Sequence, residues 1–210
     1  MLYDKDIREP LFFFLEESYG RIRILEEKRI AGSRCDIAMI TEREVVGIEI
    51  KSDADTYSRL PEQIVDYDSF FDRNILVVGS SHAMAAEDHI PEHWGIITAE
   101  KVGEHIDFYV LRMPKTNPYM EESKKITMLW RPELAHIQEK MGLPKYKGYS
   151  KKKIQELLLL KIPRDALWQS MCEELFQRDY NEIKAQIDEY RKSNGRRGRK
   201  KGYRYKYRVK

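Results

Sequence analysis

Residues 34–51 read RCDIAMITEREVVGIEIK, and this stretch decides the architecture. Two short runs rich in apolar and β-branched residues, 34–40 and 45–50, flank the charged turn 41–44. A connection that short joins antiparallel neighbours. Alternate side chains of a strand share a face, so Ile48 and Ile50 point one way while Glu49 and Lys51 point together the other way. An acid and a lysine side by side at a strand end are unusual for scaffolding alone. Asp36 stands on the neighbouring strand, placed beside Glu49, and Cys35 alternates inward with Ile37 as a buried thiol.

Working outward, residues 21–30 form a further strand behind the turn Ala31-Gly32-Ser33, completing a three-strand meander. Before it, residues 5–19 read as a helix, with Ile7, Leu11, Phe14 and Leu15 at helical spacing and Gly20 just past the end. After it, residues 60–71 form a helix with Pro61 in the first turn and Leu60, Ile64, Tyr67 and Phe71 on one stripe. The apolar run 75–79 reads as a strand buried on both faces. A short helix at 82–88 leads to strands at 94–98 and 106–111, and Pro114 and Pro118 close the region. From there the pattern is helical only: 133–141, 150–161 and 164–191. The expected class is α/β: a core over 1–118 with a mixed central sheet flanked by helices, a helical region over 119–190, and a basic tail over 191–210.

The 210 residues are 41% hydrophobic and 35% charged. No uncharged apolar stretch approaches the roughly 20 residues that a bilayer requires, and the first residues, Met-Leu-Tyr-Asp-Lys-Asp, lack the pattern of a signal peptide. Two cysteines, Cys35 and Cys172, make neither a disulfide framework nor a zinc knuckle by themselves. A soluble cytoplasmic protein, with no membrane partner, is expected. The net charge of +3 is unevenly spread: residues 191–210 hold eleven Lys or Arg and no acid, leaving a body of about −8. Such a tail suits nucleic acid and equally a solvated, solubilising segment.

Two carboxylates held a few ångströms apart repel, and a hard divalent cation resolves the repulsion. Mg²⁺ between Asp36 and Glu49 would polarise a phosphoryl oxygen and activate a bound water, and Lys51 would orient that water or balance charge on the phosphorane. The spacing Asp36 … Glu49-x-Lys51, followed by Gln63 and Tyr67 on the next helix, resembles the PD-(D/E)xK nuclease superfamily, with its restriction-endonuclease-like fold, and within it the Q-x-x-x-Y motif of the RecB-like branch. The wider run Arg34-x-Asp36 … Glu49-Ile50-Lys51-Ser52-Asp53 … Arg59-Leu60 … Gln63, ending in Trp94-Gly95-Ile96-Ile97, is similar to a bacterial and phage branch. The resemblance covers roughly residues 5–112, and Cys35 stands where the family motif has proline.

The resemblance implies a metal-dependent deoxyribonuclease using Mg²⁺, with Mn²⁺ as substitute. Asp36, Glu49 and the Ile50 carbonyl would hold the metal, Lys51 would assist the water, and Gln63 and Tyr67 would support the site. Many members add an acid from the first helix or strand. Glu9, Glu16, Glu17, Glu26 and Glu27 are the candidates, Glu27 preferred because it lies on the strand beside Asp36, where a solvated turn residue is the other reading. Asp53 and Asp55 read as cap or loop residues, with outer-shell ligands the alternative. His82, His89 and His93, which lack ligand spacing, read as ordinary polar positions, with a metal or general-base role the alternative.

For nucleic-acid binding the candidates are Arg34 and Arg59, which would touch phosphate or pair with the acids, and Lys151, Lys152 and Lys153. Gly142-Leu143-Pro144 followed by Lys151-Lys152-Lys153-Ile154 is similar to the SAP motif, a DNA-binding helix pair; a structural brace of two helices is the alternative. In the tail, Arg196, Arg197, Arg199, Lys200 and Lys201 precede an alternation of Tyr203, Tyr205 and Tyr207 with Arg204, Lys206 and Arg208. Basic groups neutralise phosphates there while aromatic rings stack on bases. The expected partner is DNA, with homodimerisation left open. The competing expectation is a non-catalytic nucleic-acid-binding protein that retains the fold, in phage defence or counter-defence.

Overall fold

Six strands form one mixed sheet in chain order: β1 (Arg23–Ile30), β2 (Ser33–Ile40), β3 (Val45–Lys51), β4 (Arg73–Gly79), β5 (Gly95–Val102) and β6 (His105–Arg112). They are seen in a computed structural model that describes residues 1–178. β1, β2 and β3 are antiparallel neighbours, β3, β4 and β5 run parallel, and β6 returns antiparallel on β5. The parallel strands need crossovers, supplied by α2 (Leu60–Phe70) and by the segment carrying the short α3 (Ala86–His89). β3 is buried along its whole length and β4 over all but its first residue, matching their continuous apolar runs.

The two faces are covered by different helices. α1 (Asp4–Tyr19) lays Ile7, Leu11 and Leu15 on Ile37, Met39, Ile48, Ile50, Ile75 and Val77. On the other face Tyr67 of α2 packs between Phe71 and Trp94, with ring centroids 5.4 and 5.5 Å away. Gly47 permits this approach, because a Cβ there would lie 2.3 Å from the Phe71 ring.

The helical region holds α4 (Glu122–Lys125) with a 3-10 turn (Ile126–Met128), α5 (Arg131–Lys140), α6 (Lys151–Lys161) and α7 (Arg164–Gln177). Met1–Phe176 form one compact unit. An ion pair crosses the change of element type near residue 118, the fully buried Lys125 meeting Asp72 at 2.6 Å, and just before it Asn117 Nδ2 donates to the carbonyls of Asp68 and Phe71.

Several bounds differ from expectation. Residues 82–85 are turns closed by three-residue hydrogen bonds, so the helix begins at Ala86. β5 runs on through exposed Glu100, Lys101 and Val102 because β6 pairs with it across a two-residue hairpin whose Gly103 has φ 62. α4 is too short for periodicity to reveal. The 164–191 helix is seen from Arg164 to Gln177; its remainder and the basic tail, with Arg196, Arg197, Arg199, Lys200 and Lys201, lie outside the described residues. No helix among the described residues is long and apolar enough to cross a membrane.

Candidate functional site

Strand alternation and helix spacing bring four of the motif residues into one buried cluster. Glu49 and Lys51 project from β3 toward α2, where Gln63 and Tyr67, four residues apart, occupy one helix face. Lys51 Nζ donates to Glu49 Oε1 at 2.6 Å and to Gln63 Oε1 at 2.9 Å, and Gln63 Nε2 donates to the same Glu49 oxygen. Tyr67 donates its hydroxyl proton to Glu49 Oε2 at 2.6 Å. Glu49 and Lys51 are 2% and 5% exposed, so this is a buried ion pair and not a surface strand pair.

Asp36 adjoins the cluster through Tyr67, whose hydroxyl oxygen accepts the Asp36 backbone N–H at 3.1 Å. The β2–β3 ladder is registered from Ile37↔Ile48 to Ile40↔Val45. Just past that register, Asp36 Oδ2 accepts the Ile50 N–H at 2.9 Å. Alternation breaks there: Ile37 packs toward α1, whereas the buried Cys35 thiol lies against Tyr67 of α2. Cys35 is thus buried as expected, its thiol donating to the Ile37 carbonyl at 2.9 Å, but its side chain does not share the face of the Ile37 side chain. Burial, followed by the charge of Glu49, pushes the Asp36 carboxyl up to about 7, partly opposed by the Ile50 N–H and Arg8. Burial also raises the Cys35 thiol and, reinforced by the nearby acids, the Tyr67 hydroxyl.

Arg8 is the residue that sequence reading missed. From the second turn of α1 its guanidinium bonds Asp4 at 2.6 Å, Glu27 at 2.9 Å and Asp36 Oδ1 at 3.2 Å, with Glu26 at 3.8 Å. In the sequence Asp4 and Arg8 look like a solvated pair one turn apart. The available signal is that Arg8, Leu11 and Leu15 continue one stripe toward the helix N-terminus, on the face that meets the sheet.

Glu27 lies opposite Asp36 by register and bonds both Arg8 and Arg34. Glu26 stands near the same guanidinium. Glu9 and Glu17 instead line a groove of about 690 Å³ between α1 and the β5–β6 hairpin, which contains none of the clustered residues, and Glu16 is exposed. Arg59 is exposed at the start of α2. Asp53 ties down the N-terminus and the loop after β4 through Leu2 and Ser81, which lowers its pKa against the cost of burial. Asp55 accepts from Ser52. His82 meets the Tyr57 ring edge-on and His89 lies tilted against it, and His93 bonds Asp68. At the start of α6, Lys151 donates to the Thr127 carbonyl, Lys153 meets Glu156, and Lys152 is exposed.

Oxygen donors alone suit a hard cation such as Mg²⁺. Burial and the charge of Glu49 disfavour the ionised form of Asp36, a burden that a divalent ion would relieve. No group of three or more His, Cys, Asp or Glu that could hold a metal occurs among the described residues, so water, substrate oxygens and a backbone carbonyl would complete a shell, as Mg²⁺ accepts. Glu49 Oε1 takes two internal donors, Lys51 and Gln63, whereas Glu49 Oε2 and the two Asp36 oxygens each take one and keep a second lone pair for a cation.

Fold and site together define a mixed α/β protein whose sheet carries a buried acid–lysine cluster beside a second carboxylate. The family model described as Bacteriophage P4 protein cII matches residues 8–196, most of the chain, and the protein belongs to that family. No curated protein and no solved structure matches significantly.

Proposed function

We propose that this protein is a metal-dependent nuclease that hydrolyses phosphodiester bonds of DNA. The observation that carries the reading is the convergence of Glu49, Lys51, Gln63 and Tyr67 from β3 and α2, with Asp36 bonded to the same tyrosine. Asp36 and Glu49 would hold Mg²⁺ or Mn²⁺, with the Ile50 carbonyl as a further ligand. When bound, the cation would polarise a phosphoryl oxygen and lower the pKa of a water. Tyr67 and Gln63 fix the Glu49 carboxylate by both oxygens, so its position costs no reorganisation. Lys51, held between Glu49 and Gln63, supplies positive charge where negative charge develops on phosphate. Exposed Lys152, Arg34 and Arg59, with the basic tail, are the groups for DNA.

One observation favours a second reading, a nucleic-acid-binding protein without hydrolysis: Lys51 already neutralises Glu49 inside the protein. Cleavage of single-stranded, double-stranded and branched DNA and of RNA, with Mn²⁺ or with EDTA, separates the two. The parent should cleave DNA only with metal, while Lys51→Met should retain metal binding, which also reports folding, and cleave at least about a hundredfold more slowly. Nucleic-acid binding without cleavage would establish the second reading.

A further inference from the structure

We propose that Arg8 is a built-in counter-cation that closes the metal position at Asp36, so that a divalent ion enters only when the Arg8–Asp36 bond opens. This rests on the reading of Asp36 as a metal-binding carboxylate. The Arg8 side chain is 15% exposed, and its guanidinium reaches four carboxylates from three elements: Asp4 on its own helix, Glu26 and Glu27 on β1, and Asp36 on β2. It also donates to the Asp36 carbonyl at 3.4 Å, so both the side chain and the backbone of that residue are held.

The surrounding chain is shaped around this contact. Glu27 adopts φ 54, a left-handed conformation that a non-glycine residue takes only when other contacts impose it. There its two oxygens meet Arg8 and Arg34. Burial works against a charged Arg8, but the bond to Asp4 and the charges of Asp36, Asp4 and Glu27 more than offset it and keep the guanidinium ionised. Arg8 therefore performs electrostatically, in the metal-free protein, what a cation would perform at Asp36. A divalent ion and a guanidinium cannot both sit on this carboxylate without strong repulsion.

The consequence is opposite to that of an arginine that binds substrate or merely braces the fold. Titration of Mn²⁺ alone into the full-length parent, Arg8→Gln and Arg8→Lys, followed by calorimetry, distinguishes them without any turnover. Arg8→Gln should bind Mn²⁺ about tenfold more tightly or better, the scale set by removing a like charge a few ångströms away, and its metal-free unfolding midpoint should drop and recover on adding Mn²⁺. Arg8→Lys, which keeps the charge but cannot fork between Asp36 and Glu27, should bind a few-fold more tightly than the parent.

Binding by the parent with equal or weaker affinity in Arg8→Gln overturns the role of Arg8 and leaves the metal site standing. Binding by Arg8→Gln alone supports the closure. If Arg8→Gln folds only with Mn²⁺ the closure is supported, and if it never folds, unchanged or weaker affinity in Arg8→Lys overturns it. Absence of binding in all three proteins overturns the metal site and the closure together.

Discussion

Helix α2 separates two buried polar networks that are built on opposite rules. Toward its C-terminal end Asp68 Oδ1 lies 2.8 Å from Asn74 Nδ2, 2.8 Å from Trp94 Nε1 and 3.0 Å from His93 Nε2. Just past the helix, Asp72 takes the Lys125 ammonium on both oxygens and the Val45 N–H on one. Each acid there has its own set of donors, and the bonds tie β3, β4 and the helical region to the helix. Gln63 and Tyr67, by contrast, serve a place where two carboxylates, Asp36 and Glu49, are held within electrostatic reach and Asp36 is pushed up to about 7. A network that holds a fold matches acids with donors. One that keeps acids together against their repulsion is poised for a cation or for chemistry.

The largest difference in stability is expected at Lys125. Lys125→Met leaves Asp72, 15% exposed, facing a single backbone N–H, and should lower unfolding stability by about 3–5 kcal/mol, the range for removing one partner of a buried pair. Denaturant unfolding checks it. A loss below about 1 kcal/mol would place this pair with surface ion pairs and weaken the contrast.

A smaller effect follows from Asp36 through pH. Its folded pKa of about 7 exceeds the ordinary 3.8, so between these values the folded state binds more protons than the unfolded chain. Stability should therefore fall as pH rises from about 4 to about 7. Asp36→Asn should flatten that slope, whereas Asp68→Asn should leave it in place. Equal slopes in the parent and Asp36→Asn, measured by urea midpoints across the window, would remove Asp36 as their source.

The meander, both covering helices and the Glu49–Lys51 face were legible because each rests on a local period: two in strands, about 3.6 in helices. Gln63 and Tyr67 were singled out by the resemblance to the Q-x-x-x-Y motif, and their spacing of four residues puts them on one face of α2. Cys35 and Asp36 defeat it, since the break in alternation comes from a side chain accepting a backbone N–H just past the paired register, which no period encodes. Arg8 was hidden for a related reason: its partners Glu27 and Asp36 are distant in sequence, and its visible neighbour Asp4 suggests only a surface pair. The Asp72–Lys125 pair, 53 residues apart, depends likewise on tertiary placement.

The contrast between the two networks is tested most directly by calorimetric titration of Mn²⁺ into metal-free parent, Asp36→Asn and Asp68→Asn proteins at neutral pH. The parent should bind one ion, Asp36→Asn should bind it at least about tenfold more weakly after losing a charged oxygen ligand, and Asp68→Asn should keep the parent affinity even where its stability has dropped. Parent affinity in Asp36→Asn would contradict the assignment of Asp36 and Glu49 as the cation-binding pair.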